Sequence, residues 1–103
     1  MYKVSFYVPV SFAEKVKVAL FCAGAGRIGA YDKCCWETRG TGQFSALAGS
    51  NPAIGEHGVI ETVQELKVEM VCCDEFIKEA IAALKKSHPY EVPAYEVYRL
   101  EEF

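Results

Sequence analysis

Twice in this chain the hydrophobic period switches from two residues to between three and four, and that switch limits what it can fold into. Tyr2, Val4, Phe6, Val8 and Val10 alternate with Lys3, Ser5, Tyr7 and Pro9, the pattern of a half-buried strand. Ser11 and Glu14 then stand at capping-box spacing. Phe12, Val16, Ala19, Leu20 and Ala23 recur on one helical face, and Gly24 supplies a helix stop. The switch repeats downstream. Leu66, Val68, Met70 and Cys72 alternate with Glu65, Lys67 and Glu69, predicting a strand over Val63–Cys73. A helix follows, with Asp74 as N-cap, Ile77, Ala80, Ile81 and Leu84 on one face, and Lys85 and Lys86 in the last turn. The apolar run from about Ala30 to Thr38 reads as the second strand and "AYEVYRLEE" as the fourth.

The resulting order, βαββαβ, is that of the split βαβ, ferredoxin-like arrangement. It predicts an α+β sandwich in one domain over residues 1–103: an antiparallel four-stranded sheet with both helices on one face. Valine and aromatic side chains on strands one and four suggest that the other face is covered, most economically by another subunit. Between strands two and three lies "RGTGQFSALAGSNPAIGEHG", Arg39–Gly58, read as a long excursion with a short strand at Gln43–Ala46. Connections of this length inside compact domains are often functional.

Charge and composition exclude several partners. The net charge is −3 and no basic run exceeds two residues, which speaks against nucleic acid. No apolar stretch reaches the roughly 20 residues a membrane span needs. "MYKVSFYVPV" lacks the order of a signal peptide, so a cytoplasmic location is expected. In that setting Cys22, Cys34, Cys35, Cys72 and Cys73 are expected as thiols.

"GAGRIGAY", Gly24–Tyr31, contains G-x-G-x-x-G. A dinucleotide fingerprint must follow a strand and open a helix, and here it closes a helix instead. Two readings stand for Arg27: a cation beside a turn whose backbone N–H groups hold an anion, or a solvated residue in a plain turn. The first makes Gly26, Arg27, Ile28, Gly29 and Tyr31 ligand-binding candidates, joined by Tyr90 and Glu91. Those last two, with Trp36, also read as subunit-packing residues. For metal the candidates are His57, His88, Cys35 and Cys73. Cys34–Cys35 and Cys72–Cys73, on neighbouring strands, could form a soft-metal site or simply pack. His88 reads as a ligand or a helix-end cap, His57 as a ligand or an ordinary loop residue.

"HPYEVPAYEV", His88–Val97, resembles the segment before the last strand of CutA-type proteins. It also resembles the equivalent segment of the domain inserted in the dinuclear-metal, GTP cyclohydrolase type 2-like family, the YqfO-like proteins. "GAGRIGAYDKCCW", "GTGQF" (Gly40–Phe44) and "GSNPAIG" (Gly49–Gly55) match further blocks of that domain in the same order. The resemblance implies a PII/CutA-like homotrimer whose responsive loop lies between strands two and three. The metal-holding segments of that family flank the domain and are not matched by these residues, which hold only His57 and His88 as histidines, so hydrolase activity is not expected to carry over. What it implies is a non-enzymatic regulatory or sensing module that takes a small ligand or a divalent metal ion at clefts between subunits. A CutA-type copper-binding protein and an accessory subunit of a separate hydrolase core are the alternatives.

Overall fold

The computed structural model describes all residues from Met1 to Phe103. Strand β1 covers Tyr2–Pro9, helix α1 Ala13–Cys22, strand β2 Trp36–Ser45, strand β3 Ile60–Cys72, helix α2 Ile77–Ser87 and strand β4 Tyr95–Arg99. The sheet is antiparallel in the order β2-β3-β1-β4, with β1 and β3 central. This is the expected ferredoxin-like architecture.

Both helices pack on one face. Val4, Phe6 and Val8 of β1 and Val68, Met70 and Cys72 of β3 form one buried cluster with Val16 and Leu20 of α1 and Ala80 and Leu84 of α2. The register is the reason: Val4 lies opposite Met70, Phe6 opposite Val68 and Val8 opposite Leu66, so the apolar sets of both strands share one face.

The opposite face corrects the sequence reading. Alternation sends the valines of β1 to the helices and leaves Lys3, Ser5, Tyr7 and Pro9 on the open side, beside Glu65, Lys67 and Glu69 of β3. Glu96 and Tyr98 of β4 extend it. This face is charged and aromatic, not apolar. Lys3 pairs with Glu69 at 3.3 Å, and the Tyr7 hydroxyl donates to Glu96 at 3.3 Å.

The second strand is also displaced. It begins at Trp36, not Ala30, and runs through "GTGQF" to Ser45. Residues Ile28 and Tyr31 instead close a tight turn through two mutual backbone hydrogen bonds of 2.9 Å. The strand was hidden because it has no apolar period. Almost every residue of it is exposed, and pairing with β3 alone defines it. Its outer half, with Ile60–Gln64 of β3, extends past the last β1 partner, Pro9, as a two-stranded arm. The excursion therefore shrinks to Ala46–Val59.

Neither expected N-cap caps. A short 3-10 turn precedes each helix, and the cap positions fall on Phe12 and Phe76 with no side-chain bond. Asp74 instead binds the Met1 amine and lies 3.6 Å from Arg99. Gly24 does stop α1. Its φ is +108°, and a Cβ there would stand 2.7 Å from the Phe76 ring.

That contact separates two glycines with the same backbone demand. Gly29 has φ +57° and open space around it. Gly29→Ala is expected to cost about 1 kcal/mol, the left-handed penalty alone. Gly24→Ala adds overpacking against Phe76, for a total of about 2–4 kcal/mol. Urea unfolding of the two variants checks the order, and equal midpoints would contradict it.

Candidate functional site

A concavity of about 440 Å³ lies where the β2–β3 arm meets the segment between α2 and β4. Such a volume is in the range of small-molecule sites. Its position follows from local chemistry. Pro89 holds His88 in extended backbone and ends α2. The chain then runs past β1 before β4 starts at Tyr95, and His88 fills the gap in the ladder. Its Nε2 donates to the Tyr7 carbonyl at 2.7 Å, while its Nδ1 accepts the Tyr90 N–H at 3.1 Å. That pattern needs the neutral Nε2–H tautomer. Burial lowers the His88 pKa in keeping with this, although the Tyr7 carbonyl and the nearby Glu65 pull the other way.

Fixed by His88, Tyr90 turns into the cleft. Its hydroxyl donates to Glu65 Oε2 at 2.8 Å, and its ring packs on Phe44, centroids 5.9 Å apart. Burial first, then the Glu65 hydrogen bond and charge, push the phenol well above its ordinary value, so it remains a donor. Glu65 itself is 9% exposed. It has room because Gly42 of the facing strand has no side chain: a Cβ there would lie 2.1 Å from Glu65 Oε1. The far wall is the Ala46–Val59 loop, which contributes Leu47, Pro52 and Ile54. The Asn51 N–H donates to Glu91 Oε1 at 3.1 Å and ties that wall to the opposite rim.

The structure divides the sequence candidates. Tyr90 and Glu91 line this cleft. Gly26, Arg27, Ile28, Gly29 and Tyr31 lie elsewhere, and only Arg27 borders the smaller depression of about 220 Å³ beside α1. That turn is no open ring of donors: the N–H groups of Gly24, Ala25, Gly26, Ile28 and Tyr31 are all given to carbonyls of the chain. Arg27 is exposed and stacks over Phe76 at 5.7 Å. Trp36, expected as a packing residue, is 69% exposed on the open side of β2.

The metal candidates are not gathered. No group of three or more His, Cys, Asp and Glu side chains converges anywhere. Both nitrogens of His88 are occupied, and His57 Nε2 bonds the Ser50 carbonyl at 2.9 Å. Cys35 precedes β2 rather than lying within it, so the strand placement from which the soft-metal alternative was drawn is not met. It packs half-buried against the core, and burial raises its thiol pKa while Lys17 opposes the shift. Cys73 follows β3, half-buried beside the core residue Cys72.

Glu65, Tyr7, Phe44 and Gly42 were missed as site residues. The available signal was the pair Gly40 and Gly42, two apart on one face of a strand, which leaves space for a side chain from the neighbour.

Comparison with known proteins bears on the fold. No family model matches the chain. The GTP cyclohydrolase 1 type 2 homolog of Halalkalibacterium halodurans is 44% identical over 100 residues, 97% of this chain and 27% of that protein. This chain is homologous to one segment of the YqfO-like proteins. It spans about a quarter of the length of the curated relatives it matches. A Bacillus cereus protein related to NIF3 superimposes with a TM-score of 0.79 at 39% identity, over 98% of this chain and 26% of that one. CutA1 from Pyrococcus horikoshii superimposes with a TM-score of 0.70 at 20% identity, over 100% of this chain and 86% of that one, and shares the fold. The expected YqfO-like and CutA-like resemblance and the α+β fold are thus both found. No helix is long and apolar enough to cross a membrane.

Two outcomes follow from the Glu65–Tyr90–His88 chain. Gly42→Ala is expected to drive the carboxyl off the Tyr90 hydroxyl and cost about 1–2 kcal/mol. Gly40→Ala, with open space around it, is expected within about 0.5 kcal/mol of wild type. Equal urea midpoints would mean that Glu65 is not held against Gly42.

His88 sets a pH dependence. Its folded pKa is depressed. As pH falls below about 6.5 the unfolded histidine takes a proton that the folded one resists. Its contribution to stability is therefore full above that pH and shrinks below it. Wild type is expected to lose stability from pH 7 to 5.5 more steeply than His88→Ala, and parallel pH profiles would contradict the buried neutral imidazole.

Proposed function

We propose that this chain is a non-enzymatic, PII/CutA-like module that assembles as a homotrimer and takes a small ligand at a cleft completed between subunits, with a regulatory or sensing role. The observation that carries this reading is the cleft itself, whose inner wall is built from the "HPYEVP" segment through Tyr90 and Glu91. Assembly is supported by β2. It is a ten-residue edge strand whose outer side has no partner, and Trp36 stands exposed on it. Natural sheets seldom leave such an edge uncovered. The sheet face does not supply the driving force, because it is charged and aromatic.

A metal ion is the other ligand class in this reading. Any such site needs donors from more than one chain, since none gathers within one. The match to a quarter-length segment of larger relatives favours one further partner, a protein carrying a hydrolase core, with this chain as its accessory part.

Native mass spectrometry tests the assembly. The expected mass is three times the 11.4 kDa of one chain. A monomer at micromolar concentration would overturn the trimer and the intersubunit cleft together. Zinc or Cu(I) titration before and after thiol blocking tests the metal class, and unchanged binding after blocking would exclude the cysteines as its ligands.

A further inference from the structure

We infer that the 440 Å³ cleft is a site for an organic ammonium group carried on an apolar or aromatic body. This deepens the small-ligand reading above and rests on it. Three observations carry it.

The first is charge. Among the fifteen residues of the lining there is no lysine, arginine or histidine, but there are two carboxylates, Glu65 and Glu91. Phosphates and carboxylic acids require positive side chains or free N–H groups to replace their hydration. This cleft meets them with like charge. A ligand of positive charge is attracted.

The second is the state of Glu65. It is more than nine-tenths buried, and buried charged groups are ordinarily paired. No cation of the chain lies within ion-pair distance of it. Lys67, two positions along, leans over the Tyr7 ring and toward Glu69 instead. Tyr90 occupies Oε2, while Oε1 takes no donor from the protein and keeps contact with solvent. A carboxyl oxygen left to solvent in this way can accept from a ligand, and an ammonium N–H can replace the water there.

The third is the wall. Tyr7, Phe44 and Tyr90 bring three aromatic rings to the same cavity, and nine of its fifteen lining residues are apolar. Ring faces attract cations, and the apolar remainder accepts a hydrocarbon body. A bare metal ion suits this lining poorly, because two carboxylates fall short of a coordination shell.

The test uses the full chain and three probes of one shape: 2-phenylethylammonium, 2-phenylethanol and 3-phenylpropionate. Binding is followed by amide and side-chain NMR shifts. The ammonium is expected to bind about tenfold or more tighter than the alcohol, with shifts at Tyr7, Phe44, Glu65 and Tyr90, and the carboxylate is expected not to bind. Glu65→Gln is expected to remove the preference for the charged probe. Should that variant fail to fold, Glu91→Gln, at an exposed position, is expected to narrow the preference without altering the spectrum elsewhere. Equal binding of ammonium and alcohol overturns the inference, as does the absence of shifts in the cleft. If ATP or zinc shifts the cleft residues and the ammonium does not, the inference fails while the small-ligand module stands. If Glu65→Gln lowers the assembled mass, a lysine or arginine of a second copy is the cation that Glu65 takes, and the inference is overturned in that case too.

Discussion

The register between β1 and β3 is the constraint on which the rest depends. Phe6 faces Val68, and the neighbouring pairs follow, so Val4, Phe6 and Val8 of β1 and Val68, Met70 and Cys72 of β3 all meet the helices. A slip of one residue would exchange the two faces completely. The same register places Glu65 opposite Pro9 and Lys67 opposite Tyr7, on the open side. The buried carboxyl of the cleft is therefore a by-product of core alignment: Val68 cannot be in the core unless Glu65 points the other way. What makes that tolerable is on the next strand, where Gly42 leaves the space and Tyr90 reaches in with a donor.

Legibility in the sequence follows from the same physics. β1, β3 and both helices could be read because burial imposes a period on them. β2 could not. It is held by backbone pairing and is exposed on both sides, so its composition is glycine, threonine and charge, the composition of a loop. The stretch from Ala30 to Cys35 was misread in the opposite sense: it lies before β2 in turn and loop, and Tyr31 remains exposed. The helix starts misled for a third reason. Ser11 and Asp74 have the right spacing for caps, but each lies in a 3-10 turn before its helix, and Asp74 finds stronger partners in an amine and a guanidinium.

The site was half legible. "HPYEVP" pointed to Tyr90 and Glu91, and both line the cleft. The partner residues come from β1, β2 and β3, and only topology brings them together. His88 illustrates why residue type alone misleads. A histidine before a proline at a helix end invites a metal reading, yet a buried ring with one nitrogen donating and the other accepting has no lone pair left to offer. Its work is to finish the β1 ladder and to aim Tyr90.

The loop from Ala46 to Val59 differs from the rest of the cleft in how it is held. Its inner wall, Glu65 and Tyr90, is anchored in the central sheet and through His88. The loop has few restraints: the Gly58 N–H on the Ala46 carbonyl at 2.7 Å, the Leu47–Ser50 turn, the His57 contact to Ser50 and the Asn51–Glu91 tie. Nearly all of these lie in exposed surroundings, where a hydrogen bond contributes about 1 kcal/mol or less. Segments with few buried contacts open at free energies far below global unfolding. One side of the cleft is thus rigid and carries the charge, while the other is weakly held and carries the apolar side chains Leu47, Pro52 and Ile54. A ligand touching both sides would spend part of its binding energy on ordering the loop. The Asn51–Glu91 hydrogen bond is the one of these restraints that crosses the cleft, joining the loop to the acidic rim.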